Sequence, residues 1–147
     1  MLRSVAVLVL DELSVFEFGV ASEVFGTDRT DDGLPRLDFR VCGVRAGEPV
    51  STTDGVQIVP AHGLDGLRGA DLVAVPATGL RSFPNEVLAA LRDAADAGAT
   101  LLSICSGVFV LGAAGLLDGR RCTAGSAARR TGAARRRAAA ARPCGGR

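Results

Sequence analysis

The sequence predicts an α/β protein in which a parallel sheet lies between two layers of helix. Three observations predict it. The runs S-V-A-V-L-V-L at residues 4–10 and D-L-V-A-V-P at 71–76 are short and apolar without alternation, as in strands buried on both faces. Segments with apolar residues at helical spacing follow these runs. A third run, T-L-L-S-I at residues 100–104, passes through Cys105 straight into another helical pattern. Strands alternating with helices give a parallel sheet with right-handed crossovers. The class expected is the flavodoxin-like or Rossmann-like three-layer sandwich.

The elements follow in order. Residues 4–10 form a first strand, central because both faces are apolar. Residues 11–13 are the loop after it, and Ser14 is placed to cap a helix over 15–25 that stops at Gly26. From Glu17, helical spacing selects Val20, Ala21 and Val24, a stripe expected to face the sheet. A carboxylate in such a stripe needs a partner, and desolvation there disfavours its charged form. Glu17 therefore either points inward at the sheet edge or sits at the rim of a solvated face. Residues 27–36 are a polar loop. The alternating segment 37–44 reads as a half-exposed second strand with Cys42 structural, 47–54 as turns, and 56–59 as a short strand. His62 lies in the loop P-A-H-G, where a surface group is expected rather than a base. After the strand at 71–76, residues 77–79 (Ala, Thr, Gly) form a small-residue loop. Ser82 is expected to cap a helix with Pro84 and Glu86 in its first turn, ended by Gly98.

Cys105 sits between the third strand and its helix, with Ser103 two residues before and Gly107 two after. A single reactive residue on a strand-to-helix turn flanked by small residues is a nucleophile elbow, where the two backbones nearly touch. The helix's positive end favours a thiolate. The other reading is a small buried hydrophobe. Parallel sheets build sites at the carboxyl ends of their strands. The loops at 11–17, 76–79 and 105–107 all belong to that edge, so Glu17, the Gly79 region and Cys105 should converge.

Composition narrows the classes. The chain of 147 residues has the length of one domain, and no apolar run is long enough to span a bilayer. The apolar start is too short for a signal peptide. Four cysteines (Cys42, Cys105, Cys122, Cys144) without CxxC spacing, and one His, argue against a zinc site and for a reduced cytoplasmic setting. No metal and no cofactor are expected. The net charge of +1 hides two materials. All 16 acidic residues lie in 1–123 with ten Arg, giving −6, and seven Arg lie beyond, giving +7.

Three segments carry a resemblance: V-A-V-L-V-L-D with F-E-F-G-V-A-S-E-V-F-G; A-D-L-V-A-V-P-A-T-G; and S-I-C-S-G-V-F-V-L-G-A-A-G-L-L-D-G-R. Across residues 4–123 the chain resembles the ThiJ/PfpI superfamily, the class I glutamine amidotransferase-like proteins. Within it the likeness is nearest to the amidase-like N-terminal domain of AraC-type transcriptional regulators. The resemblance implies a catalytic pair of Cys105 and Glu17. It also implies an oxyanion or ligand pocket of backbone donors at Thr78, Gly79 and Ser106. The loop P-A-T-G departs from the more usual P-G-G.

Beyond Thr123 the likeness ends. Such regulators continue with further strands and helices and a helix-turn-helix domain. This chain instead runs into Ala, Arg, Gly and Pro, the residues of codons rich in G and C. A one-base shift over residues 127–135 permits R-H-A-E-L-A-R-R. The expectation is an incomplete domain over 1–123 and an off-frame, disordered or marginally helical tail over 124–147. A basic arm for polyanions is its other reading.

Three functions remain open. One is a ligand-sensing domain derived from such a regulator, without its DNA-binding half. Another is a cysteine-dependent hydratase, glyoxalase-like or amidase-like enzyme using Cys105 and Glu17. The third is a fragment with little function, whose uncovered apolar surface drives self-association. The partners expected are a small-molecule ligand and a second copy, as a homodimer or an aggregate. Neither sequence-specific DNA binding by this chain nor a membrane partner is expected.

Overall fold

The computed structural model describes residues 1–119; Cys122, Cys144 and the whole segment 124–147 lie outside the described residues. Four strands, β1 (Ser4–Leu8), β2 (Asp38–Cys42), β5 (Leu72–Val75) and β6 (Thr100–Ser103), pair in parallel in the order β2-β1-β5-β6. This is the flavodoxin-like order, with β1 central as its two apolar faces require. Between β2 and β5 the chain adds an antiparallel hairpin of β3 (Val50–Ser51) and β4 (Gln57–Ile58). The sequence reading has β4 but takes β3 for turns, because two residues show no periodicity.

Alternation along β1 divides the interior in two. Ala6, Leu8 and Leu10 join Val73, Val75, Val87, Leu91, Val110 and Leu111 on one face. Val5, Val7 and Val9 join Ala74, Leu13 and Ala21 on the other, with Phe18 and Phe25 packed against them. The first core lies under α2 (Asn85–Asp96) and α3 (Val108–Ala113), the second under α1 (Val15–Ala21). Three layers result.

Two expectations are corrected. Ser82 does not cap α2. Pro84 holds the N-cap position, and Asn85 is the first helical residue. The helix expected over 15–25 does reach Gly26, but as α1 followed by a π-helical segment, Ser22–Gly26. The rotation of this helix also differs from the expected stripe. Ala21 is buried, whereas Val20 and Val24 are 39% and 54% exposed. Phe18 and Phe25 supply the inner face instead, because two aromatic side chains bury more apolar area than two valines.

Asp71 fastens the amino ends of the two central strands. Its Oδ2 accepts the backbone N–H groups of Arg3 (2.7 Å) and Ser4 (3.0 Å), and these donors hold its carboxyl below the usual range. No helix among the described residues is long and apolar enough to cross a membrane.

Candidate functional site

The carboxyl edge of the sheet collects three loops, after β1, β5 and β6. Leu13, buried in the first loop, is bridged to Thr52 of the hairpin on one side and to Thr78 on the other. The Ser14 N–H donates to the Ala77 carbonyl at 2.9 Å, tying the start of α1 to the loop after β5. From the third loop, the Ser106 hydroxyl donates to the Thr78 carbonyl at 3.2 Å. Residues far apart in sequence are thus joined along the path Glu17, Ser14, Ala77, Thr78, Ser106 to the neighbour of Cys105.

Cys105 is exposed, so it is not a packing residue. Its φ is +55°, a left-handed conformation that costs a residue with a Cβ about 1–2 kcal/mol. A short 3-10 turn, Cys105–Gly107, leads directly into α3. The turn is held hard against β5. A Cβ on Gly107 would stand 2.0 Å from the Val75 carbonyl oxygen and 2.8 Å from that of Pro76, so only glycine fits. That close approach is the physical content of the elbow motif, and the small residue two positions after Cys105 was its signal.

Glu17 is half-buried at the first turn of α1. The hydroxyl of Ser14 donates a short hydrogen bond to its carboxylate. Ser14 holds the N-cap position, yet it makes no side-chain bond to the helix backbone. Ser14 and Glu17 have the S-x-x-E spacing of a capping box. Here, however, the Ser14 N–H is already bonded to Ala77, and the two side chains bond each other. No hydrogen bond joins Glu17 to Cys105 among the described residues.

The expected pocket donors divide. The Gly79 N–H is committed to the Glu12 carbonyl at 2.9 Å and is not free for an oxyanion. The Thr78 N–H makes no hydrogen bond among the described residues. The Thr78 hydroxyl accepts from the Leu80 N–H and donates to the Asp11 carbonyl, which fixes the loop. Glu12 was missed by the sequence reading. It has φ +54° and lays its carboxylate over Gly79, where a Cβ would lie 2.3 Å from Oε2. Asp11 was also missed. Its Oδ1 accepts the N–H and hydroxyl of Ser51, which anchors the hairpin to the site.

His62 is exposed and hydrogen-bonds through its backbone to β2. β2 and β6 are opposite edges of the sheet, three strand spacings or about 14 Å apart. His62 therefore does not serve Cys105. Cys42 is fully buried, and burial pushes its thiol up to about 11. Among the described residues no cluster of three His, Cys, Asp or Glu could hold a metal ion.

Comparison with known proteins adds to this geometry. A model of the DJ-1/PfpI family matches residues 3–142. An uncharacterised protein in the cpoL 5′ region of Streptomyces lividans is 38% identical over 125 residues, covering 81% of this chain and 84% of that one. The HTH-type transcriptional regulator GbdR of Pseudomonas aeruginosa is 30% identical over 123 residues, covering 82% of this chain but 33% of its own. Isonitrile hydratase of Pseudomonas putida is 33% identical over 78 residues, covering 51% of this chain and 34% of its own. This chain thus spans about a third of those last two relatives. Among solved structures, an AraC family transcriptional regulator from Pseudomonas putida superposes with a TM-score of 0.71 at 26% identity, covering 86% of this chain and 69% of that one.

Proposed function

This chain belongs to the DJ-1/PfpI family, and from that premise we propose that it is a ligand-sensing domain of the kind found in AraC-type regulators. A small molecule binds at the carboxyl edge of the sheet, beside Cys105, Thr78 and Ser106. Glu17, oriented by Ser14, is the carboxylate of the same site. The observation that carries sensing over turnover is the Gly79 N–H, which is spent on the Glu12 carbonyl. A tetrahedral oxyanion would lose that donor, and one donor of this kind is worth about 10²–10³ in rate. In this reading the site has a thiol and a carboxylate but lacks the Gly79 donor for an oxyanion. Cytoplasmic residence belongs to the same reading.

The likeness to isonitrile hydratase favours a second reading, in which Cys105 adds to an isonitrile or carbonyl carbon and water completes a hydration. One experiment separates the two. Cys122 and Cys144 are changed to Ser, and Cys105 is labelled with iodoacetamide at neutral pH. Buried Cys42 serves as the unreactive reference. Small isonitriles, aldehydes and amides are then added as probes. The sensing reading expects Glu17→Gln to change the labelling rate, because a carboxylate beside the sulfur alters its thiolate fraction. It also expects at least one probe to protect Cys105 and raise the thermal midpoint, with no product above the Cys105→Ala background. Cys105-dependent formation of a formamide or other hydrated product would replace it with the enzyme reading. Labelling indifferent to both Glu17 and every probe would leave an inert fragment.

A further inference from the structure

Glu12 is held in a conformation that its own side chain does not explain. Its φ of +54° is disfavoured about tenfold for a residue with a Cβ. Its exposed carboxylate has no hydrogen-bond partner among the described residues. What holds it is the backbone on either side. The peptide group between Asp11 and Glu12 donates its N–H to the Ser51 hydroxyl oxygen at 3.2 Å, and its carbonyl accepts the Thr78 hydroxyl at 2.7 Å. The next peptide group, between Glu12 and Leu13, donates its N–H to the Ser51 carbonyl at 3.1 Å, and its carbonyl accepts the Gly79 N–H at 2.9 Å. Both peptide planes are thus clamped between Ser51 of the hairpin and the loop after β5. We infer that Ser51 is a positioning residue of the candidate site: its hydroxyl keeps Glu12 left-handed, and the Glu12 carbonyl so placed masks the Gly79 N–H.

Three observations select Ser51. First, all of its polar groups engage residues 11–13. Its N–H and its hydroxyl both donate to Asp11 Oδ1, at 2.9 and 2.8 Å, while its hydroxyl and carbonyl oxygens accept from Glu12 and Leu13. Asp11 thus fixes the rotation of the hydroxyl, and the oxygen lone pairs are left for the Glu12 N–H. Second, Ser51 comes from outside the four-stranded sheet, since β3 pairs with β4 alone. Its grip on Glu12 can therefore change without disturbing the core. Third, the conformation it holds is one that relaxes when released. Strain of this kind persists only where the surroundings over-determine it. Turning the peptide group between Asp11 and Glu12 returns φ to the ordinary range and takes the N–H off Ser51. The neighbouring plane, with the bond from Gly79, then loses its alignment.

This inference rests on the reading above, in which the Gly79 N–H would otherwise serve an oxyanion, and it adds how that donor is controlled. Whatever draws the hairpin away from residues 11–13 frees Glu12, and with it the donor. The site then changes its chemistry through one backbone turn, with no movement of Cys105.

The test is amide hydrogen exchange, read by NMR on the full chain under reducing conditions, with the Gly79 N–H compared with the amides of β1. Ser51→Ala removes the hydroxyl but keeps the backbone bonds of the hairpin. It is expected to speed Gly79 exchange by about tenfold or more, with the β1 amides unchanged. Ser51→Thr, which restores the hydroxyl, should behave as the wild type. Glu12→Gly removes the strain, because glycine takes a positive φ freely. Added to Ser51→Ala, it should return Gly79 exchange toward the wild-type rate, and by itself it should slow it. Unchanged Gly79 exchange in Ser51→Ala would overturn the inference, as would acceleration shared equally with β1, which marks a merely structural role. A double variant as fast as Ser51→Ala would also overturn it. Should Ser51→Ala fail to fold, Glu12→Gly alone decides: slower exchange at Gly79 supports the clamp, and equal or faster exchange refutes it. Neither Cys105 nor a ligand enters this readout, so its failure leaves the sensing reading to its own labelling experiment.

Discussion

Among the described residues, the two non-glycine residues with left-handed backbone are Glu12 and Cys105, and both belong to the loops at the carboxyl edge. Strain of this kind persists only where the surroundings hold it, and it gathers at sites rather than at random. Around Cys105 the holding contacts are the Ser106–Thr78 hydrogen bond and the Gly107 approach to Val75. Removing the Cβ should release the strain. Cys105→Gly is therefore expected to be about 1 kcal/mol more stable to urea than Cys105→Ala. Equal stabilities would mean that the turn relaxes in solution and that the elbow is not held. The sequence marked Cys105 and Glu17 by residue type and spacing. It could not mark Glu12 or Asp11, whose importance comes from partners at Gly79 and Ser51 that no local pattern reveals.

At the scale of elements, the site is a consequence of how β1 and β5 are locked side by side. Their amino ends are joined by Asp71, and their carboxyl ends by the Leu13–Thr78 bridge and the Ser14 N–H bond to Ala77. Because its donors lower the folded-state titration of Asp71, the carboxylate contributes stability at pH values above its unfolded value of about 3.9. That contribution is lost as pH falls through the lower, folded value. Asp71→Ala is thus expected to melt below the wild type at pH 7, with a gap that narrows below about pH 4. A gap independent of pH would mean that the loss is one of packing and not of the charged acceptor. Helix α1 shows where element-level reading fails. Periodicity found the helix, but Val20, Val24 and Phe16 face outward while Phe18 and Phe25 face the core. With apolar residues nearly all round, the pattern does not say which side is inside.

For the molecule as a whole, two oppositely charged parts share one chain, −6 over residues 1–123 and +7 beyond. Such a segment should hold the chain weakly on a polyanion column and release it steeply as salt rises. The chain ending at residue 123 is expected to pass through unretained. Retention of that shorter chain would place the basic surface in the α/β body instead. The sequence by itself determined the class of fold, the central place of β1, and the loops that gather at its carboxyl edge, from which the candidate site is drawn. Those properties follow from local patterns: runs of apolar residues, glycines at tight turns, and one cysteine at a strand end. The tertiary structure alone decided that Gly79 spends its N–H on Glu12, that Ser14 turns its hydroxyl to Glu17, and that Phe16 is left bare. Hydrogen-bond partners and helix rotation are settled by what the rest of the chain brings within about 3 Å, and no window of neighbouring residues contains that information.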